Sequence, residues 1–312
     1  MLDILTGFGS VAILVLAGWL VGRSGVLGKS GGTAVTMVVF WVAMPCLLIH
    51  TLAERDMSHV LGQAFIVAAG SAAVTAALYA VIATGFLGQK GAERIVGAMS
   101  ASYNNVANLG IPIIAATIGN PAVVVPALLF QIALYAPLSL TTLDLMTSRR
   151  GINLARILRT PFQNPMTIAA VVGLVLSQVP WSLPTLVAQP VGMLADAAVP
   201  MALLAFGISM HGQPVLRRGI SPRRAVAVAS TLKLTVHPFA AWAIGTAIGM
   251  SGQALMAAVI VAALPTAQNV FTYSTKYREH TAVATVQARD CGLLTSALVT
   301  PVVLLIVVLL GG

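Results

Sequence analysis

Two stretches of this chain set amides and a proline inside apolar sequence: Asn104-Asn105-Val106-Ala107-Asn108-Leu109-Gly110-Ile111-Pro112 and Leu264-Pro265-Thr266-Ala267-Gln268-Asn269. Asn105, Asn108, Gln268 and Asn269 each bring an acceptor carbonyl and two donors, enough to hold a carboxylate, a cation or both. Proline offers no donor, so Pro112 and Pro265, with Gly110 beside the first, are read as backbone breakers that free carbonyl and amide groups. Lipid cannot satisfy such groups. Breaks at that depth persist only where protein, water or a solute completes the hydrogen bonding, so both are expected to line a site.

Three further charges fall inside apolar runs: Lys233, Arg289 and Asp290. Each costs at least about 2.5 kcal/mol at a bilayer midplane, which marks them as functional. At about 1.5 Å per residue, Lys233 lies roughly 13 Å beyond Arg224 and Arg289 roughly 12 Å beyond Thr281, so all three are expected at one depth. Asp290 is expected to pair with Lys233 or to take a coupling cation or proton, leaving a surplus positive charge for a carboxylate. A closed ion pair, with Arg289 reaching toward the cytosolic face, is the structural alternative. His237 before Pro238 can titrate, Gln131 shares a helical face with Tyr135, and Asp196 is expected to cap a seventh helix broken at Pro200.

The elements that must position these groups are helices in a membrane. The chain is 58% hydrophobic and 8% charged over 312 residues, against roughly 25% charged in soluble domains. Apolar runs of about 20 residues start near Ile4, Val35, Leu61, Ile95, Ala122, Met166, Leu186, Arg224, Gln253 and Thr281, which predicts ten crossings. The first is not a secretory signal, because Asp3 stands where basic residues belong. Loop cations alternate, 14 against the single Arg55, and the positive-inside rule puts both termini outside the cytosol. The net charge of +9 therefore orients the chain and meets anionic lipid, and implies no nucleic acid. Cys46 and Cys291 lie in apolar segments without metal-ligand spacing. No nucleotide-binding loop and no hydrolase string such as Gly-x-Ser-x-Gly or His-Glu-x-x-His occurs, so no enzyme is expected.

Prolines mark a repeat. Pro45 to Pro112 spans 67 residues and Pro200 to Pro265 spans 65. Near-equal spacing in two blocks, each with an odd number of spans, five, forces the second to be inverted relative to the first. The predicted fold is an all-α polytopic membrane protein of ten transmembrane helices, in two inverted five-helix repeats with broken crossover helices four and nine. The first repeat covers 1–146, a basic cytosolic linker 147–164, and the second repeat 165–312.

The Tyr103 to Pro112 stretch resembles the fourth-helix pattern LPNTLVMGIP of the auxin efflux carrier family, with Asn105 on its asparagine and Gly110-Ile111-Pro112 on its GIP. Leu264-Pro265 through Lys276-Tyr277 is similar to that family's ninth-helix pattern LPQGIVPFVFAKEY. Weaker matches are Pro45 with His50, Gln131 with Asp144, Asn164-Pro165, and Lys233 five residues before Pro238. Arg289-Asp290 has no counterpart in the plant pattern, and the long loop of some plant members is missing. The resemblance implies a fold of the bile acid/sodium symporter type, crossed broken helices, and a body of helices three to five and eight to ten moving against one, two, six and seven.

These readings converge on a secondary active transporter of the inner (plasma) membrane that is expected to work by alternating access of elevator type. The expected substrate is a small organic anion, with dicarboxylates such as malonate or malate ahead of auxin-like acids. Asn105, Asn108, Gln131, Gln268, Asn269, Lys233 and Arg289 are the expected substrate-binding residues, and Asp290 and His237 the ion-coupling ones. No cofactor is expected; sodium, near Asn105 and Asn269, and proton coupling both stay open. An uncoupled uniporter, a channel and an intramembrane enzyme are the alternatives, and a homodimer is compatible with the sequence.

Overall fold

The computed structural model describes residues 2–53, 60–147, 165–179, 183–211 and 215–311. These residues are helical almost throughout; among them the sole β-type pairing is an isolated antiparallel bridge between Asn104 and Thr266. Helices stand in the places of the ten apolar runs. Five are by themselves long and apolar enough to cross a membrane: Ser30–His50, Gly62–Leu87, Pro121–Thr147, Thr185–Ile208 and Thr281–Leu310. The expected linker lies outside the described residues, apart from Thr147.

Most of the prolines expected to break helices do not. The chain stays helical through Pro45, and Pro200 sits inside the continuous Thr185–Met210 helix, so Asp196 has no broken end to cap and is exposed. Pro45, Pro112, Pro137 and Pro238 each follow a π-turn by two residues, the turns being Val39–Ala43, Val106–Gly110, Gln131–Tyr135 and Leu232–Val236. A proline ring clashes with the carbonyl four residues back and offers it no N–H. Widening the preceding turn by one residue moves that carbonyl aside, so the helix survives. Pro112 accordingly lies within the Ile111–Thr117 helix, and the fourth run breaks earlier, at Tyr103–Asn105.

The chain folds as two compact units, each drawing on both sequence halves. The first contains residues 1–61, 107–128 and 161–213. In it Leu2–Ser24 packs along Thr185–Met210, which also meets Met44–Ala53, and Met44–Ala53 meets Pro165–Gln178. The first of these pairs is built on glycine: a Cβ at Gly18 would fall 2.2 Å from the Leu204 carbonyl oxygen, and one at Gly207 would fall 2.1 Å from that of Val15. Small residues let membrane helices approach to backbone contact, where dispersion rather than water release drives association.

The second unit contains residues 62–106, 129–160 and 214–312. Its Gly91–Ser102 helix lies against Arg278–Leu310, Arg223–Thr231 and Ala136–Thr147. At its core Tyr79, Gln89 and Gln287 close a buried ring of hydrogen bonds: the Tyr79 hydroxyl donates to Gln89 Oε1 (2.8 Å), Gln89 Nε2 to Gln287 Oε1 (2.8 Å), and Gln287 Nε2 to the Tyr79 oxygen (2.7 Å). A closed ring leaves no polar group unpaired in an apolar interior and fixes a unique packing. Gly97 leaves room for it, since a Cβ there would meet the Tyr79 ring at 2.5 Å. The unit groups the third and the eighth to tenth helical regions with the fourth only up to Val106 and the fifth only from Leu129 on.

The glycine contact yields a paired test within one helix. Gly207→Ala is expected to lower stability by about 1–3 kcal/mol through overpacking against backbone. Gly192→Ala meets nothing within 4 Å and is expected to be neutral or slightly stabilising, since alanine is the better helix former. Thermal unfolding of the two variants in detergent checks both.

Candidate functional site

The polar centre of the second unit is built where two broken strands of backbone meet. The Gly91–Ser102 helix ends as Tyr103 turns extended (φ −90°, ψ 116°), and Gly252–Ala263 ends as Leu264 does the same (φ −55°, ψ 150°). The two extended pieces pair antiparallel: Asn105 N–H donates to the Pro265 carbonyl at 2.8 Å and Ala267 N–H to the Tyr103 carbonyl at 3.0 Å. Side chains take up the groups that remain. Gln131 Nε2 donates to the Asn104 carbonyl (3.0 Å), the Thr266 hydroxyl to the Ser100 carbonyl (2.6 Å), and Thr295 Oγ1 accepts from Thr266 N–H (3.0 Å). Backbone that could not otherwise survive away from water is thereby satisfied.

Lys233 completes the set. Its side chain is 0% exposed, and its ammonium donates to Asn104 Oδ1, to the Ala262 carbonyl (2.8 Å) and to His237 Nδ1 (2.9 Å). All three N–H bonds are used, and every partner is neutral. With Nδ1 accepting, the His237 ring proton sits on Nε2, which is buried and has no hydrogen-bond partner among the described residues. One face of the break is lined by rings: Tyr103 stacks on Tyr135 (centroids 5.2 Å apart), Tyr135 on Phe130 (5.6 Å), and Tyr273 meets Tyr103 edge-on. Ser102 and Tyr135 share a 2.5 Å hydrogen bond between hydroxyls.

The expected site residues divide. Gln131, Lys233, His237 and Pro265 come together with the backbone of Asn105. The Asn105 side chain is buried and makes no hydrogen bond among the described residues, whereas Asn269 lies beside the Tyr103 hydroxyl and Gln268 is exposed at the start of the Gln268–Lys276 helix. Asn108 and Gly110 belong to the π-turn of the fourth run, in the first unit, and the Asn108 side chain lies outside the described residues. Asn104, not Asn105, faces Lys233. Successive side chains of extended backbone point to opposite sides, so neighbouring asparagines take different partners.

Asp290 does not pair with Lys233. Its buried carboxylate accepts from Ser221 Oγ (2.5 Å), the Leu216 N–H (3.2 Å) and the Arg289 guanidinium (2.8 and 3.0 Å). Thr281, from which Arg289 is counted, is a kink inside the 33-residue Arg278–Leu310 helix (φ −135°, ψ 22°) and does not mark where that helix begins. Asp290 instead holds the loop before Arg223. Leu216 there adopts a left-handed φ of 55°, and its carbonyl accepts from Arg223 Nε and Nη2. Thr266, Thr295, Ser100 and Ser102 were not singled out from sequence, since a hydroxyl in a membrane helix more often bonds its own preceding turn. Among the described residues no group of three His, Cys, Asp or Glu could hold a metal ion.

Comparison with known proteins agrees with this architecture. A family model described as membrane transport protein matches residues 8–307. An uncharacterized transporter of Methanothermobacter thermautotrophicus is 27% identical over 263 residues, 83% of each chain. Auxin efflux carrier component 3a of Oryza sativa subsp. japonica is 31% identical over 158 residues, 49% of this chain and 24% of the plant protein. Component 3 of Arabidopsis thaliana is 28% identical over 159 residues, with the same two coverages. The match thus spans about a quarter of the plant carriers' length. With a family match over nearly its whole length and helices able to cross a bilayer, this multi-pass chain belongs to the membrane transport protein family that includes the auxin efflux carriers.

Proposed function

We propose that the chain is a secondary carrier of a small organic anion across the inner membrane, working by alternating access. The observation that carries this reading is Lys233: an ammonium fully buried at the meeting of two broken helices, with neutral partners alone. A buried charge is costly unless an opposite charge approaches it. At an effective dielectric near 20, a carboxylate roughly 6 Å from the ammonium gains about 3 kcal/mol, or about 100-fold in affinity. The Asn105 and Asn269 amides beside the break supply the donors that orient it. The ten helical groups are read as ten crossings in two inverted halves. The two compact units are read as the two bodies of an elevator, the polar centre travelling with the second.

Dicarboxylates such as malonate and malate suit a site that combines an ammonium with several amides. A second reading rests on the stacked rings of Tyr103, Tyr135 and Phe130. They form a platform for a flat aromatic acid, and the plant relatives are named as carriers of auxin.

In this reading Asp290 is a structural group that docks a loop and takes no part in coupling. Purified protein in liposomes is expected to show saturable counterflow of labelled malonate, or of indole-3-acetate under the second reading, with uncharged malonamide at least about 100-fold poorer. Non-saturating flux, or equal flux of malonamide, would reject the carrier of anions. Asp290→Ala leaves the Leu216 N–H, the Ser221 hydroxyl and Arg289 without an acceptor. It is expected to cost about 2–4 kcal/mol of stability, visible as a lower Tm, while the KM for the anion stays within about twofold.

A further inference from the structure

We infer that the Lys233 ammonium fills a monovalent-cation site built into the helix break, one that opens to sodium or a small primary ammonium ion once the lysine side chain is removed. The inference deepens the carrier reading, on which its meaning for transport rests, but the site itself stands on geometry alone.

The backbone that carries each of the three acceptors is held by something other than Lys233. The Ala262 carbonyl is free because its helix ends one residue later, and the N–H of Thr266, its would-be partner four residues on, is taken by Thr295 Oγ1 at 3.0 Å. Asn104 is fixed through its backbone, bridged to Thr266 and capped at its carbonyl by Gln131. His237 stands at the start of the His237–Ala247 helix, directly after the Leu232–Val236 π-turn that widens the ladder ahead of Pro238. Two oxygens and one imidazole nitrogen therefore converge on one point, carried on backbone that does not depend on the lysine. Such a point, lined with neutral acceptors and closed to solvent, is a cation site. The separations of 2.8 and 2.9 Å are those of N–H donors to oxygen and nitrogen acceptors, so a primary ammonium is the best-fitting occupant.

Because the chain supplies its own cation, the native protein has no vacancy there, and its transport cycle proceeds without sodium at this position. The tethered charge also cannot dissociate. It accompanies the polar centre through every step, where a bound ion would load and leave.

The test uses Lys233→Ala, which removes the Cγ, Cδ, Cε and Nζ atoms, the same skeleton as n-propylammonium. Full-length wild type and variant are unfolded thermally in detergent in choline, sodium or n-propylammonium chloride at one ionic strength. The variant is expected to gain about 2–4 °C in n-propylammonium over choline, and a smaller shift in sodium, as a site filled at about ten times its Kd would give. The wild type is expected to show no difference among the three salts. A variant indifferent to both cations, or recovered folded in none of the salts, overturns the proposal, as does a wild type stabilised by sodium over choline. None of these readouts involves flux. Loss of malonate counterflow by the wild type would therefore remove the carrier reading and leave the cation site standing.

Discussion

The whole polar centre depends on one pair of reciprocal hydrogen bonds, Asn105 N–H to the Pro265 carbonyl and Ala267 N–H to the Tyr103 carbonyl. Broken helices in a medium without water must find partners for every freed group, and two breaks laid antiparallel satisfy each other at the least cost in side chains. The remaining polar contacts follow from that pairing. Thr266 can reach Ser100 and Thr295 only because the strand pair brings it between their helices, and Asn104 presents its amide to Lys233 because its neighbour Asn105 is turned the other way. The apolar cluster of Val96, Met99, Tyr103, Ala267 and Val270 then closes over the pairing.

Two kinds of polar order serve different ends within the same unit. The Tyr79, Gln89 and Gln287 ring is closed and neutral, every group satisfied by another member. It specifies packing and offers nothing to a solute. The Lys233 centre holds a lysine among neutral partners and, among the described residues, an unpaired His237 Nε2. A lysine buried among neutral acceptors is costly in an apolar interior, and the proposed carrier reading rests on its being kept there.

Much of this was legible in the residues, and what was not has physical reasons. Amides beside a proline in apolar sequence located the ninth-region break correctly, because Pro265 itself stands in it. The same logic placed the fourth-region break at Pro112, several residues late, since a π-turn can absorb a proline and leave no gap. Lys233 was visible as a charge out of place, but its partner lies 129 positions away, and no local rule ranks Asn104 above Asn105. Asp290 was assigned a depth by counting from Thr281, and a kink within a helix looks the same in sequence as the end of one. Composition and alternating loop charge indicated a membrane protein without any of these details, because insertion is governed by bulk apolarity and not by contacts.

The π-turns that precede Pro45, Pro112, Pro137 and Pro238 have an effect beyond sparing the backbone. Each inserts one residue into the winding, and one residue of α-helix is about 100° of rotation. A seam that faces lipid before such a turn faces a different neighbour after it. Each of these regions therefore behaves as two short rods of different azimuth joined end to end, so a single span can present a greasy flank at one depth and a polar flank at another along the same line of sight.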